Sequence, residues 1–186
     1  MADISRDPPA LFFKERLEEA VREHHFTFSE PVMFYAVTLL SSIGNRRFLE
    51  EPLGERLVQA DSKTGAERWR LLRTTGDDAL LIVGFCSNSL NRRMISLNYF
   101  IDVGIRAYEV LGDEDEGALA DTFQELAKKF MPLADVIEEV SSRVSLTDVR
   151  NILAMYERWQ KTRSPRLAKR LAEMGIQVVA VSSKAQ

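Results

Sequence analysis

Apolar residues recur along this chain mostly at helical spacing. Pro8 and Pro9 open a stretch to about His25 in which Phe12/Phe13, Leu17 and Ala20/Val21 fall on one face, the pattern of an amphipathic helix begun by proline. Ser29, Glu30 and Pro31 signal a second start, and Val32 through Leu40 is apolar on nearly every side, which predicts a helix in the middle of the fold. Gly44 stops it, and Arg46, Arg47, Phe48 and Leu49 lead into a loop-rich stretch marked by Pro52, Gly54, Ser62 and Gly65. Thr75 and Asp78 have capping-box spacing ahead of an apolar run at 79–85, which predicts a second all-apolar helix over 77–90. The alternative is a β-hairpin at 68–86, with Thr75, Gly76, Asp77 and Asp78 as its turn. Only Ile82 and Val83 are β-branched in the second arm, which favours the helix.

From residue 96 to 111, Leu97, Phe100/Ile101, Gly104/Ile105 and Tyr108 form one stripe, and Asn98, Asp102, Arg106 and Glu109 form the opposite one. Asp102 and Arg106 are spaced to pair at i,i+4. Gly112 is expected to end this helix, and Asp113 with Glu116 to cap the next. Leu119, Phe123, Leu126, Phe130, Leu133, Ile137, Val140 and Val144 then alternate in steps of four and three, a heptad seam that Pro132 must kink or split. Its flanking Gln124, Glu125, Glu138 and Glu139 offer no opposite-charge pairing for a parallel homodimer. A helix of the chain's own bundle is therefore the reading, and a dimer seam the alternative. Ser145 and Asp148 cap a helix burying Val149, Ile152/Leu153, Tyr156 and Trp159. Ser164 and Pro165 start the last one on Leu167, Leu171 and Met174, and Gly175 stops it. The expected fold is all-α: one domain of six or seven helices over 8–175, an N-terminal tail 1–7, and a short extended segment with a tail at 176–186.

Composition agrees with a packed core. Of the 186 residues, 54 are Leu, Ile, Val or Phe, well above the share that disordered chains carry. The net charge of -3 supplies no global field towards nucleic acid or anionic lipid. The longest uncharged runs, 31–45 and 79–91, are shorter than the roughly 18 to 20 residues a membrane span needs. With Asp3 and Asp7 and no apolar core, the first residues do not read as a secretory signal, so a cytoplasmic location is expected. The single Cys86 fits a reducing compartment.

The familiar chemical motifs are missing from the sequence. Neither Gly-x4-Gly-Lys-Ser/Thr nor Gly-x-Gly-x-x-Gly occurs, and no Glu-x-x-His precedes His24 or His25, whose adjacent positions point about 100° apart on a helix. Cys86 has no local base or cation and reads as a buried thiol, while Ser87 and Ser89 lack a nucleophile-elbow frame. No cofactor or metal is implied. The chain is expected to act without catalysis, as an interaction or regulatory module for a protein partner or a second copy of itself.

Two charged features stand out. Residues 37–49 and 83–95 align at an offset of 46 with five identities in thirteen, and each carries an Asn-Arg-Arg. Two helix ends with favourable C-terminal chemistry explain this, and convergence of Arg46, Arg47, Arg92 and Arg93 on a small anion is the sharper alternative. Residues 141–186 carry a net +6, leaving -9 on residues 1–140. Within the former, Arg158, Lys161, Arg163, Arg166, Lys169 and Arg170 occupy thirteen positions that contain no acid. A solvated helix face, or a surface balancing the acidic part of the same fold, is the first reading of this cluster, and nucleic acid the alternative. Tyr156 and Trp159 follow the buried stripe and are read as core.

Gly84, Phe85, Ser89, Leu90, Arg92 and Arg93, followed by Tyr99, Gly104, Ala107 and Tyr108, resemble a pattern found in uncharacterised helical proteins of bacteria. The likeness covers about 25 residues. It implies a bacterial, cytoplasmic, helical protein and carries over no catalytic residue.

Overall fold

A 26-residue helix, Gly65–Leu90, forms the axis of the computed structural model, and at 1.5 Å per residue it is about 39 Å long. The structure describes residues 8–43, 52–90, 97–114, 117, 119–143 and 146–178. Nine helices and no strand lie among the described residues: α1 (Pro8–Glu23), α2 (Glu30–Ser41), α3 (Leu53–Asp61), α4 (Gly65–Leu90), α5 (Leu97–Glu114), α6 (Ala120–Lys128), α7 (Phe130–Arg143), α8 (Leu146–Thr162) and α9 (Pro165–Glu173). The all-α single domain is as expected. Helix α4 is flanked by α3, α5 and α7, α6 packs along α5, and α1 lies across α2 and α7, while α8 and α9 pair beside α1. No described helix is long and apolar enough to cross a membrane.

Four boundaries differ from the sequence reading, and two of them, those of α3 and of the split heptad helix, raise the helix count. Helix α4 runs unbroken from Gly65, so neither the cap at Thr75 nor the hairpin at 68–86 exists. The stretch expected to be loop contains α3, whose short apolar face buries Leu53 and Ala60. The heptad helix is split at Lys129 into α6 and α7, which places Pro132 in the first turn of α7, where its missing N–H costs least. Gly112 does not end α5, which continues to Glu114, so Asp113 lies in its last turn and caps nothing. Arg106 pairs with Glu109 at 3.6 Å instead of Asp102. Residues 176–178 belong to no helix and form no strand.

Phe123, Leu126, Phe130, Leu133, Ile137 and Val140 are each no more than 1% exposed within one chain. The heptad seam is thus consumed inside the bundle and is not available to a second copy, while Leu119, just before α6, is exposed. Close approach of α5 requires Gly104, where an added Cβ would stand 2.5 Å from the Phe130 ring and 2.8 Å from Ala79 Cβ.

The turn between α1 and α2 is clamped by polar contacts. Ser29 Oγ caps α2 by accepting from the Val32 N–H, and the Ser29 N–H donates to Glu125 Oε1 at 3.0 Å. Lys129 Nζ donates to both Glu125 Oε1 and the Thr27 carbonyl, at 2.9 and 2.7 Å. Burial raises the proton affinity of Glu125, but the Ser29 and Lys129 donors outweigh it and hold the carboxyl below its usual range. Because the folded pKa is depressed, this contact stabilises the fold above the ordinary carboxylate pKa of about 4.3 and is lost as pH falls through the folded value. Glu125→Gln is expected to cost about 1 kcal/mol in urea unfolding at neutral pH, the difference from wild type vanishing in acid.

Candidate functional site

Four consecutive residues in the middle of α4, Thr75, Gly76, Asp77 and Asp78, are all buried. Each has a tertiary or helical reason to be there. Thr75 donates its hydroxyl to the Leu71 carbonyl at 2.8 Å, within the helix. Gly76 faces Tyr108, where a Cβ would meet the ring at 2.6 Å. Asp78 receives Arg56 Nη1 at 2.6 Å, a pair whose side chains are only 12% and 9% exposed and which ties α3 to α4.

Asp77, 1% exposed, is the centre of a buried polar group that joins α2, α4 and α5. Tyr35 from α2 donates to its Oδ1 at 2.5 Å, and Tyr108 from α5 donates to the same oxygen at 2.9 Å. Arg73, one turn earlier on α4, places Nε 3.9 Å from Asp77 Oδ2 and donates to the Tyr35 oxygen at 3.1 Å. Its guanidinium carbon lies 5.3 Å from the centroids of both the Tyr35 and Trp69 rings, a cation–π sandwich. Burial and then the Asp77 charge hold the Tyr35 hydroxyl well above its ordinary pKa, so it remains a neutral donor. Tyr35, Tyr108 and Phe123 pack edge to face or stacked around this group and exclude water from its inner side.

Helices α2 and α4 do not pack closely along their length, and the gap is a solvent-facing cavity of about 260 Å³. Tyr35, Thr38 and Leu39 of α2 and Ser42 at its C-cap line one wall, at helical spacing. Trp69, Arg70, Arg73, Thr74 and Asp77 of α4 line the other. Arg70 is exposed, and no carboxylate pairs with it among the described residues. The wall thus holds two guanidinium groups, one carboxylate already bonded to two phenols, three hydroxyls and two aromatic rings. A second opening, beside Gly65, Ala66, Arg68, Trp69, Leu111 and Glu114, has a volume near 450 Å³. Its charged groups are committed to each other, since Arg68 grips Glu114 through two hydrogen bonds of 2.8 Å and holds that carboxyl below its usual range.

The candidates read from sequence fare differently. Arg46, Arg47, Arg92 and Arg93 lie outside the described residues, as do Gly44, Glu116, Val144, Ser145 and the side chains of Cys86, Ser87, Ser89 and Asp148. Arg158, Lys161, Arg163, Arg166, Lys169 and Arg170 are all exposed on α8, α9 and the turn between them. Trp159 is 4% exposed and stacks on Tyr156, in agreement with a core role. His24 stacks on Phe26 just past the end of α1 with its Nε2 3.8 Å from Glu139, and His25 takes a positive φ of 56°. No cluster of three or more His, Cys, Asp or Glu able to hold a metal occurs among the described residues.

The Asp77 group was not expected. Its one local signal is the i,i+4 spacing of Arg73 and Asp77, together with apolar residues at 71, 72, 79, 80 and 83 that keep helical register straight through the apparent turn. Compared with known proteins, the chain matches no family profile, no curated sequence and no solved structure.

Proposed function

We propose that the chain is a non-catalytic helical binding module whose site is the α2–α4 cavity and whose ligand is a small compound bearing an anionic group, a carboxylate or a phosphate. The observation carrying this reading is the lining: a solvent-facing cavity in which Arg70 and Arg73 outnumber the single Asp77, so the charged groups sum to one positive charge. Guanidinium forks match carboxylate and phosphate oxygens, and the Tyr35 and Trp69 rings offer flat apolar surface to the rest of such a molecule. At about 260 Å³ the space suits a small metabolite-sized acid more than an extended cofactor.

Trp69 reports on this site directly. Titration with benzoate, phenyl phosphate and inorganic phosphate should give saturable quenching of tryptophan fluorescence for at least one of them, and Trp69→Phe should remove the signal. Arg70→Gln changes an exposed side chain with no ion pair among the described residues, so it is expected to leave unfolding stability within about 0.5 kcal/mol of wild type. It should nevertheless weaken binding about tenfold, the loss of one charge-assisted hydrogen bond. Absence of saturation with all three probes, or saturation indifferent to Arg70→Gln, overturns the reading.

A further inference from the structure

The six cations of residues 158–170 have two ordinary explanations, and the described contacts weigh against one. If the cluster served to balance the acidic part of the same fold, carboxylates should face it. Among the described residues, none pairs with Arg158, Lys161, Arg163, Arg166, Lys169 or Arg170, although Arg56, Arg68, Arg73 and Arg143 elsewhere all have acidic partners. Arg143 alone is held by Glu19, Glu23 and Glu139. The cations at the end of α8 and along α9 are therefore exposed, with no ion pair to them among the described residues.

What such a face can hold is limited by what it lacks. No exposed large hydrophobic side chain lies within 158–170, so a protein interface built on an apolar anchor has nothing to grip. The apolar side of α9 is turned inward, with Leu171 fully buried and Leu167 half-buried, so no apolar face remains to enter a bilayer. Single-stranded nucleic acid is bound through exposed aromatic rings, and the Trp159 ring is buried with the Arg163 guanidinium 4.6 Å above it. Repeated phosphates need none of these. Four of the six cations are Arg, whose forks suit phosphate oxygens, and Arg166, Lys169 and Arg170 share one face of α9 at i, i+3 and i+4. The net -9 of residues 1–140 would repel a polyanion elsewhere and confine it to this side.

We propose that the exposed basic face of α8 and α9 docks the phosphate backbone of a nucleic-acid duplex, independently of base sequence. This is separate from the α2–α4 cavity, with which it shares no residue. Fluorescence anisotropy of the full chain with a labelled mixed-sequence DNA duplex of about 30 base pairs provides the test, read from about 50 to about 200 mM salt. If six phosphates are engaged, log affinity should fall with log salt at a slope of about -5, so binding is clear at the low end and nearly lost at the high end. Arg166→Glu/Arg170→Glu should weaken binding at about 100 mM salt by well over tenfold and flatten the slope by about 2. Arg158→Gln/Lys161→Gln, on the other helix, should flatten it by a similar amount and guards against local unfolding of α9. The control Arg22→Glu/Lys128→Glu makes the same change in net charge on α1 and α6, at exposed side chains, and should shift affinity by no more than about threefold at that salt. No duplex binding at the lowest salt, a control as damaging as the α9 reversal, or binding to phosphatidylserine vesicles in place of duplex would each overturn the proposal.

Discussion

Asp77→Ala is expected to destabilise the protein by about 3–5 kcal/mol, among the largest effects a single substitution produces. The loss has a definite origin. Tyr108, fully buried, and Tyr35, 8% exposed, both spend their hydroxyl hydrogen on Asp77 Oδ1, and hydrogen bonds to a charged group contribute about 1.5–3 kcal/mol each. Removing the acceptor strands two buried donors at once. For a chain of this length the melting temperature should fall by about 10 °C or more. Asp77→Asn keeps an acceptor oxygen and should cost clearly less. The triple variant Asp77→Leu/Tyr35→Phe/Tyr108→Phe removes both buried donors together with their acceptor, leaves Arg73, whose side chain is 38% exposed, to turn to solvent, and should recover much of the stability lost by Asp77→Ala. Equal destabilisation of the triple and single variants would show that packing, and not the hydrogen-bonded carboxylate, holds α2, α4 and α5 in place.

Gly104→Val should be the next most damaging change, at about 3 kcal/mol. The Phe130 ring and the Ala79 methyl already occupy the space a side chain would need, at 2.5 and 2.8 Å from the position of a Cβ. Both neighbours are buried, Phe130 at 1% and Ala79 at 0% exposure, so neither can swing into solvent, and forcing methyl groups into such a core costs about 1–3 kcal/mol or more. Gly104→Ala suffers the same clash in smaller measure, offset by roughly 1 kcal/mol of improved helix propensity. Combining Gly104→Ala with Phe130→Leu should show a favourable coupling in urea unfolding, because the smaller side chain opens the space that the new methyl takes.

Most of the helices could be read directly from the chain, for physical reasons that differ from helix to helix. Helices α1, α2 and α9 carry proline in their first turn, and α5 carries apolar and polar stripes on opposite faces, so local propensity and burial agree. The seam through α6 and α7 was legible because its 3-4 spacing matches the face it buries. Helix α3 was missed because only Leu53 and Ala60 of its nine residues are buried, too few to set a period against Pro52, Gly54 and Ser62.

The centre of α4 was misread for the opposite reason. Thr, Gly, Asp and Asp are turn formers when nothing else acts on them, yet here Tyr35, Tyr108 and Arg56 satisfy the two carboxylates and the Tyr108 ring requires the glycine. Those partners come from three other helices, 22 to 42 positions away, and no local window contains them. The same distance hid the cavity. Tyr35 sits in a segment apolar on nearly every side and reads as core, and its hydroxyl becomes informative only once α4 is placed beside it.

Binding of a small acid between α2 and α4 can be located residue by residue. In an amide-resolved NMR titration of the full chain with benzoate and with phenyl phosphate, the account predicts saturable shifts concentrated at residues 35–42 of α2 and 69–77 of α4, including the indole N–H of Trp69 but not that of Trp159, which lies away from the cavity. Shifts that do not saturate, or that centre on other helices and leave Trp69 unmoved, would contradict it.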